Sequence, residues 1–133
     1  AGREYKVVNG VLSVEGVIQP QLLWRGIIRP GSNNTVESWQ SKNGISVTYA
    51  TTGAGRHDVI IKGHGYYATN NTLVRANGYT GNPSTANWPV HATVAGVNSV
   101  VQGGVHTATI PVFTELQSVA VNGYFVLEVF RLV

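Results

Sequence analysis

Apolar and polar residues alternate along this chain in short extended segments cut by turn formers. Nowhere do apolar residues hold a helical period over about eleven positions, and no capping box precedes such a run. Ile45–Ala50 shows the cleanest alternation, with Ile45, Val47 and Tyr49 on one face and Ser46, Thr48 and Ala50 on the other. The closing segment Tyr124–Val133 departs from this rule. Tyr124, Val126, Glu128, Phe130 and Leu132 share one face, and Phe125, Leu127, Val129, Arg131 and Val133 share the other. Both faces are apolar with one embedded charge each. A strand with one face in water alternates apolar with polar side chains. This one is therefore expected to be covered twice, by its own core and by another copy of the chain.

Asn-Gly dipeptides at 9–10, 43–44, 77–78 and 122–123 punctuate the pattern. Asn-Gly between apolar runs signals a hairpin, because both residues tolerate positive φ. The first predicts Tyr5–Val8 turning into Val11–Ile18, and the last predicts Val119–Val121 turning into the closing strand. The other two have polar flanks and are weaker signals. Further strands are expected at Leu22–Arg29 (stopped by Pro30-Gly31), Thr35–Trp39, Arg56–Lys62, Tyr66–Val74, Trp88–Ala95, Val97–Gln102 and Val105–Phe113. The turn-forming run Gly81–Asn87 reads as a surface loop. About ten short strands at this spacing predict an all-β sandwich or barrel with little or no helix. Residues 1–133 are expected to form one domain, with no internal repeat and no linker.

Composition narrows the function classes. Charged residues make up 11% of the chain and there is no cysteine, so neither a disulfide framework nor a thiolate metal site is available. The formal charge of +3 is scattered, with no Lys/Arg run to bind nucleic acid. Apolar stretches are strand-length, so no membrane-spanning helix is expected. The polar start at Ala1–Glu4 does not predict a signal peptide. A chain with no methionine is expected to be an excised piece of a longer one.

Catalytic constellations are sparse. The acids are Glu4, Glu15, Glu37, Asp58, Glu115 and Glu128, none adjacent in sequence to another, as the paired carboxylates of a glycosidase would have to be brought together by strands. There is no nucleophile elbow, phosphate-binding loop or dinucleotide fingerprint. His57-Asp58 with His64 is the nearest approach to a metal site, but the spacing matches no ligand set and the histidines are expected to be structural. We expect no enzymatic function, no cofactor and no metal. Glu128 and Arg131 project to opposite faces, so each requires a partner on a neighbouring strand or subunit. Tyr66, Tyr67, Asn70, Arg75, Tyr79, Asn82 and Trp88 gather aromatic rings, amides and a guanidinium in one loop-rich stretch, the materials of a sugar- or peptide-recognising surface. Asn33 and Asn70 also begin Asn-x-Thr sequons.

The segment Gly55-Arg56-His57-Asp58-Val59-Ile60-Ile61 resembles the Gly-x-Tyr-x-Val strand of small trimeric heads. These are the knobs of bacteriophage tail fibres and tail needles and the tumour necrosis factor/complement-type globular heads. Gly123–Phe130 resembles their closing strand, while His57 stands where an aromatic is usual. The resemblance implies a jelly-roll sandwich and a homotrimer on a virion tail, attaching to a host-cell surface glycan or protein. It also implies that residues 1–20 meet a stem. On this reading Phe125, Leu127, Glu128, Val129, Phe130 and Arg131, with parts of Val105–Phe113, line the threefold seam. Two other readings stay open at this point: a stand-alone carbohydrate-binding lectin, and a purely structural capsid or tail decoration domain.

Overall fold

The computed structural model describes residues 5–8, 11–14, 20–31, 33–63, 72–79, 90–103 and 105–132. Among these the protein is all-β, a jelly-roll-like sandwich with no helix. Strands β1 (Tyr5–Val8) and β2 (Val11–Val14) pair as a hairpin with Val8 opposite Val11, the two-residue connection that Asn9-Gly10 predicts. The next two are β3 (Pro20–Arg29) and β4 (Thr35–Ser41). β5 (Ser46–Gly53), β6 (Arg56–Gly63) and β7 (Thr72–Gly78) follow. The chain then forms β8 (His91–Val94), β9 (Asn98–Gln102) and the long β10 (Val105–Leu116). The two-residue β11 (Val119–Ala120) and β12 (Phe125–Leu132) complete it.

Two antiparallel sheets stack. One has the order β4-β3-β12-β7. The other runs β5-β6-β10, with β8 and β9 as consecutive pieces along the far edge of β10. The two longest late strands, β10 and β12, thus sit inside opposite sheets. Proline inside β10 is tolerated for a specific reason. Pro111 falls where β9 has ended and β8 has not begun to pair, so no ladder partner lacks a donor. Its carbonyl still accepts from the Ala95 amide, 2.9 Å away, on that edge.

Alternation decides which side chains meet between the sheets. Phe125, Leu127 and Val129 of β12 face Val59 and Ile61 of β6 and Ala108, Ile110 and Val112 of β10 in one cluster, all with no exposure. Val47 and Tyr49 pack at its margin while Ser46, Thr48 and Ala50 stay exposed, as their spacing predicts. Trp24 completes the core beneath β4 and donates its indole N–H to Ser38 Oγ at 2.9 Å. Above it lies Gly26, whose place no larger residue fits. A Cβ there would lie 2.2 Å from the Glu37 carbonyl oxygen and 2.6 Å from the Trp24 ring.

Two of the expected hairpins are corrected. Asn122-Gly123 does not join paired strands, because β11 pairs with β10 and β12 lies in the other sheet. The real hairpin turn is Gln117-Ser118, with φ of 49° and 66°, the backbone of a type I′ turn built without glycine. Asn43-Gly44 is likewise a crossover, from β4 in one sheet to β5 in the other, closed by an Ile45 N–H to Lys42 carbonyl bond of 3.3 Å. Asn77-Gly78 lies within β7. Left-handed backbone costs an ordinary L-residue roughly 1–2 kcal/mol. Replacing Gln117 by Asn and Ser118 by Gly is therefore expected to stabilise the fold by about 1 kcal/mol, read as a higher urea midpoint at unchanged slope.

The short connections also fix the two ends of the sandwich. At one end lie the start of β3, the end of β12, the β4–β5 turn, Gly63, Thr72 and the start of β10. At the other lie the β3–β4 loop, the β5–β6 turn, Tyr79, His91, the β10–β11 hairpin and Tyr124.

Candidate functional site

The recognition stretch predicted from sequence is divided by this topology. Tyr66, Tyr67, Asn70, Asn82 and Trp88 lie outside the described residues. The connection that carries the first three joins Gly63 to Thr72, both at the end where β3 starts. The connection that carries Asn82 and Trp88 joins Tyr79 to Val90 at the opposite end. Tyr79 is half-buried, and its amide donates to the Tyr124 carbonyl at 3.0 Å. Arg75 is exposed on the outer face of β7, directly opposite Glu128. Neighbours in sequence are thus anchored at opposite ends of the molecule.

The residues expected at a subunit seam divide in the same way. Phe125, Leu127 and Val129 are fully buried within the single chain, so they are core residues and are not available to a second copy. That corrects the expectation for this face of the strand. The other face stays at the surface, where Val126, Glu128 and Phe130 are half-buried. Glu128 finds its partner within the chain, on the next strand, with Arg25 Nε 3.6 Å from its carboxylate. Both groups reach solvent, so this pair adds little to stability. Arg131 is half-buried and also has a partner. Around them the outer face of the four-stranded sheet presents Leu73 at 42% exposure and Trp39 at 43%. Trp39 is the extra residue of a bulge in β4, and the Arg25 guanidinium lies 5.9 Å from its ring centroid. Sequence reading passed over this tryptophan because a bulge, which depends on pairing, re-aims it.

His57 is the best-connected polar group in the core, and it takes the position where the resembled motif carries an aromatic. It is fully buried, stacks on Phe125 with centroids 5.7 Å apart and meets Tyr49 edge-on at 6.3 Å. Its Nδ1 lies 2.9 Å from Thr51 Oγ1 and its Nε2 lies 3.0 Å from Thr114 Oγ1. Thr114 donates its hydroxyl proton to the Val121 carbonyl, so toward His57 it accepts. Nε2 therefore carries the proton, and Nδ1 accepts from Thr51. The Gly123 amide adds a second donor to Thr114 Oγ1 at 3.4 Å. One imidazole thereby ties β5, β6 and β10 to the entry of β12. With both ring nitrogens occupied, His57 has none left for a metal. Among the described residues no group of three or more His, Cys, Asp or Glu side chains could hold an ion.

Burial pulls the His57 imidazole below its ordinary value, opposed by the adjacent Asp58 carboxylate. The folded state thus favours the neutral ring, and the unfolded chain binds the proton more readily. The stability this group contributes is complete above about pH 6.5 and falls as pH drops below that value. Urea midpoints should decline from about pH 7 to about pH 5, and His57→Gln should flatten that decline relative to the parent protein.

No helix among the described residues is long and apolar enough to cross a membrane. Compared with known proteins, the chain matches no family model, no curated protein and no solved structure.

Proposed function

We propose that this chain is the homotrimeric head of a virion tail fibre or needle and that it contacts the host-cell surface. The observation that carries the reading is the second face of the closing strand. After Phe125, Leu127 and Val129 have filled the core, Phe130 remains at the surface opposite exposed Leu73 of β7, with Val126 further along β12 and Trp39 exposed on β4. These apolar side chains lie on either side of the cross-sheet row Arg25, Glu128 and Arg75, and an outer face that mixes exposed apolar groups with such charges suits burial against another protein surface. The resemblance of Gly55–Ile61 and of the closing strand to trimeric heads points the same way. On this reading the stem meets the end where β3 begins, and the opposite end faces the host.

The test is the mass in solution. At micromolar concentration light scattering should give three chains, and Phe130→Glu should give one chain with an unchanged fold. A parent protein that is itself monomeric overturns the assembly.

A further inference from the structure

The end of the sandwich remote from the start of β3 carries a pair of neighbouring asparagines that are held in place from below. In the β3–β4 loop the Asn33 side chain donates Nδ2 to the Tyr124 hydroxyl. The next residue, Asn34, accepts the Tyr49 hydroxyl on Oδ1 at 2.6 Å. The two tyrosines come from different sheets. Tyr124 is 6% exposed, just before β12, and Tyr49 is half-buried in β5. Asn34 sits in the left-handed region at φ 47°, a conformation that asparagine tolerates better than most residues. Both asparagines are exposed.

These bonds leave a specific remainder. Asn33 has used one of its two amide N–H groups and keeps the other together with its whole carbonyl oxygen, an acceptor. Asn34 has used one lone pair of Oδ1 and keeps both N–H groups of its amide, donors. A carbonyl acceptor and an amide donor on consecutive residues, with rotamers held by the Tyr124 and Tyr49 hydroxyls, suit a group that both gives and takes hydrogen bonds. Two hydroxyls on adjacent carbons of a sugar are such a group. No carboxylate or ammonium stands in the loop at 30–34, and the flanking Arg29 and Glu37 neutralise each other in an ion pair of 2.9 Å, so the match is to an uncharged sugar. Fixing the amides beforehand also removes part of the ordering cost of binding.

We infer that Asn33 and Asn34 form a subsite for the vicinal hydroxyls of a neutral saccharide. The inference deepens the host-contact reading and rests on it only for the surface that supplies the sugar. It places the contact at the Asn33-Asn34-Thr35 sequon.

Asn34→Asp separates this role from a structural one. The substituted side chain keeps the oxygen that accepts from Tyr49 and exchanges the outward amino donor for a negatively charged carboxylate oxygen that can only accept. The measurement is capture of the parent protein and the variant on immobilised mannan, dextran and galactan, with polygalacturonate as the acidic comparison. Melting temperatures are recorded alongside. The expected result is capture of the parent on at least one neutral glycan, weakened about tenfold by Asn34→Asp at unchanged melting temperature. Tyr49→Phe, which frees the Asn34 amide to rotate, should also weaken capture. Parent capture that Asn34→Asp leaves intact overturns the inference, as does capture on polygalacturonate alone or on none of the four. Mass in solution and adsorption to host cells test the head reading separately, and neither readout requires the Asn34 amide.

Discussion

Phe125→Ala should destabilise the protein by about 3–5 kcal/mol, the range for truncating a buried aromatic. Phe125 is fully buried at the entry of β12, opposite Ile28 on one side and Gly78 on the other, with the His57 ring stacked upon it. Removing the ring opens a cavity between the sheets and strips His57 of its stacked neighbour, while the imidazole hydrogen bonds remain. A loss of this size is a large fraction of the total stability of a typical domain. The urea midpoint is the measurement, and its response to concentration carries further information. If this face of β12 were a subunit seam, the midpoint lost relative to the parent protein would grow on dilution. As a core residue, Phe125→Ala should lower the midpoint by the same amount at every concentration.

Gly26→Ala should cost roughly 3 kcal/mol, at the upper end of what overpacking a tight core exacts. The added methyl meets backbone on one side, the Glu37 carbonyl oxygen at 2.2 Å, and an indole on the other, the Trp24 ring at 2.6 Å. Backbone cannot yield without parting β3 from β4, and the indole cannot turn without breaking its bond to Ser38. The bulge that places Trp39 adjoins this point, so the same substitution should alter Trp39 fluorescence. Trp24→Phe in the same chain should recover part of the loss, because the smaller ring gives the methyl space. The two changes should combine to less than their sum. Full additivity would mean that the carbonyl contact alone sets the cost.

How much was legible beforehand depends on whether the signal was local. The strand predicted at Arg56–Lys62 is observed at Arg56–Gly63, and Thr35–Trp39 is observed at Thr35–Ser41, because alternation and flanking turn formers act on neighbouring residues. Asn122-Gly123 misled because the dipeptide reports backbone tolerance and carries no information on which sheet the next strand joins. Gln117-Ser118 escaped notice because neither residue favours positive φ, and the pairing of β10 with β11 imposes it. The candidate recognition stretch failed as a unit for a related reason. Closeness in sequence from Tyr66 to Trp88 conceals a whole strand, β7, which carries the chain from one end of the sandwich to the other. The burial of His57 was equally hidden, since its partners Thr51 and Thr114 look like ordinary solvent-facing strand residues until the register aligns them.

The placement of β3 has a mechanical consequence. It runs from the end where the chain enters the sandwich directly to the Asn33–Asn34 loop at the other, bonded to β12 from Pro20 to Ile28 and to β4 from Trp24 to Arg29. Tension applied between those two ends therefore runs along the already extended covalent backbone of β3. The flanking ladders are off the load path, so their hydrogen bonds need not rupture for the loop to hold its place over the base.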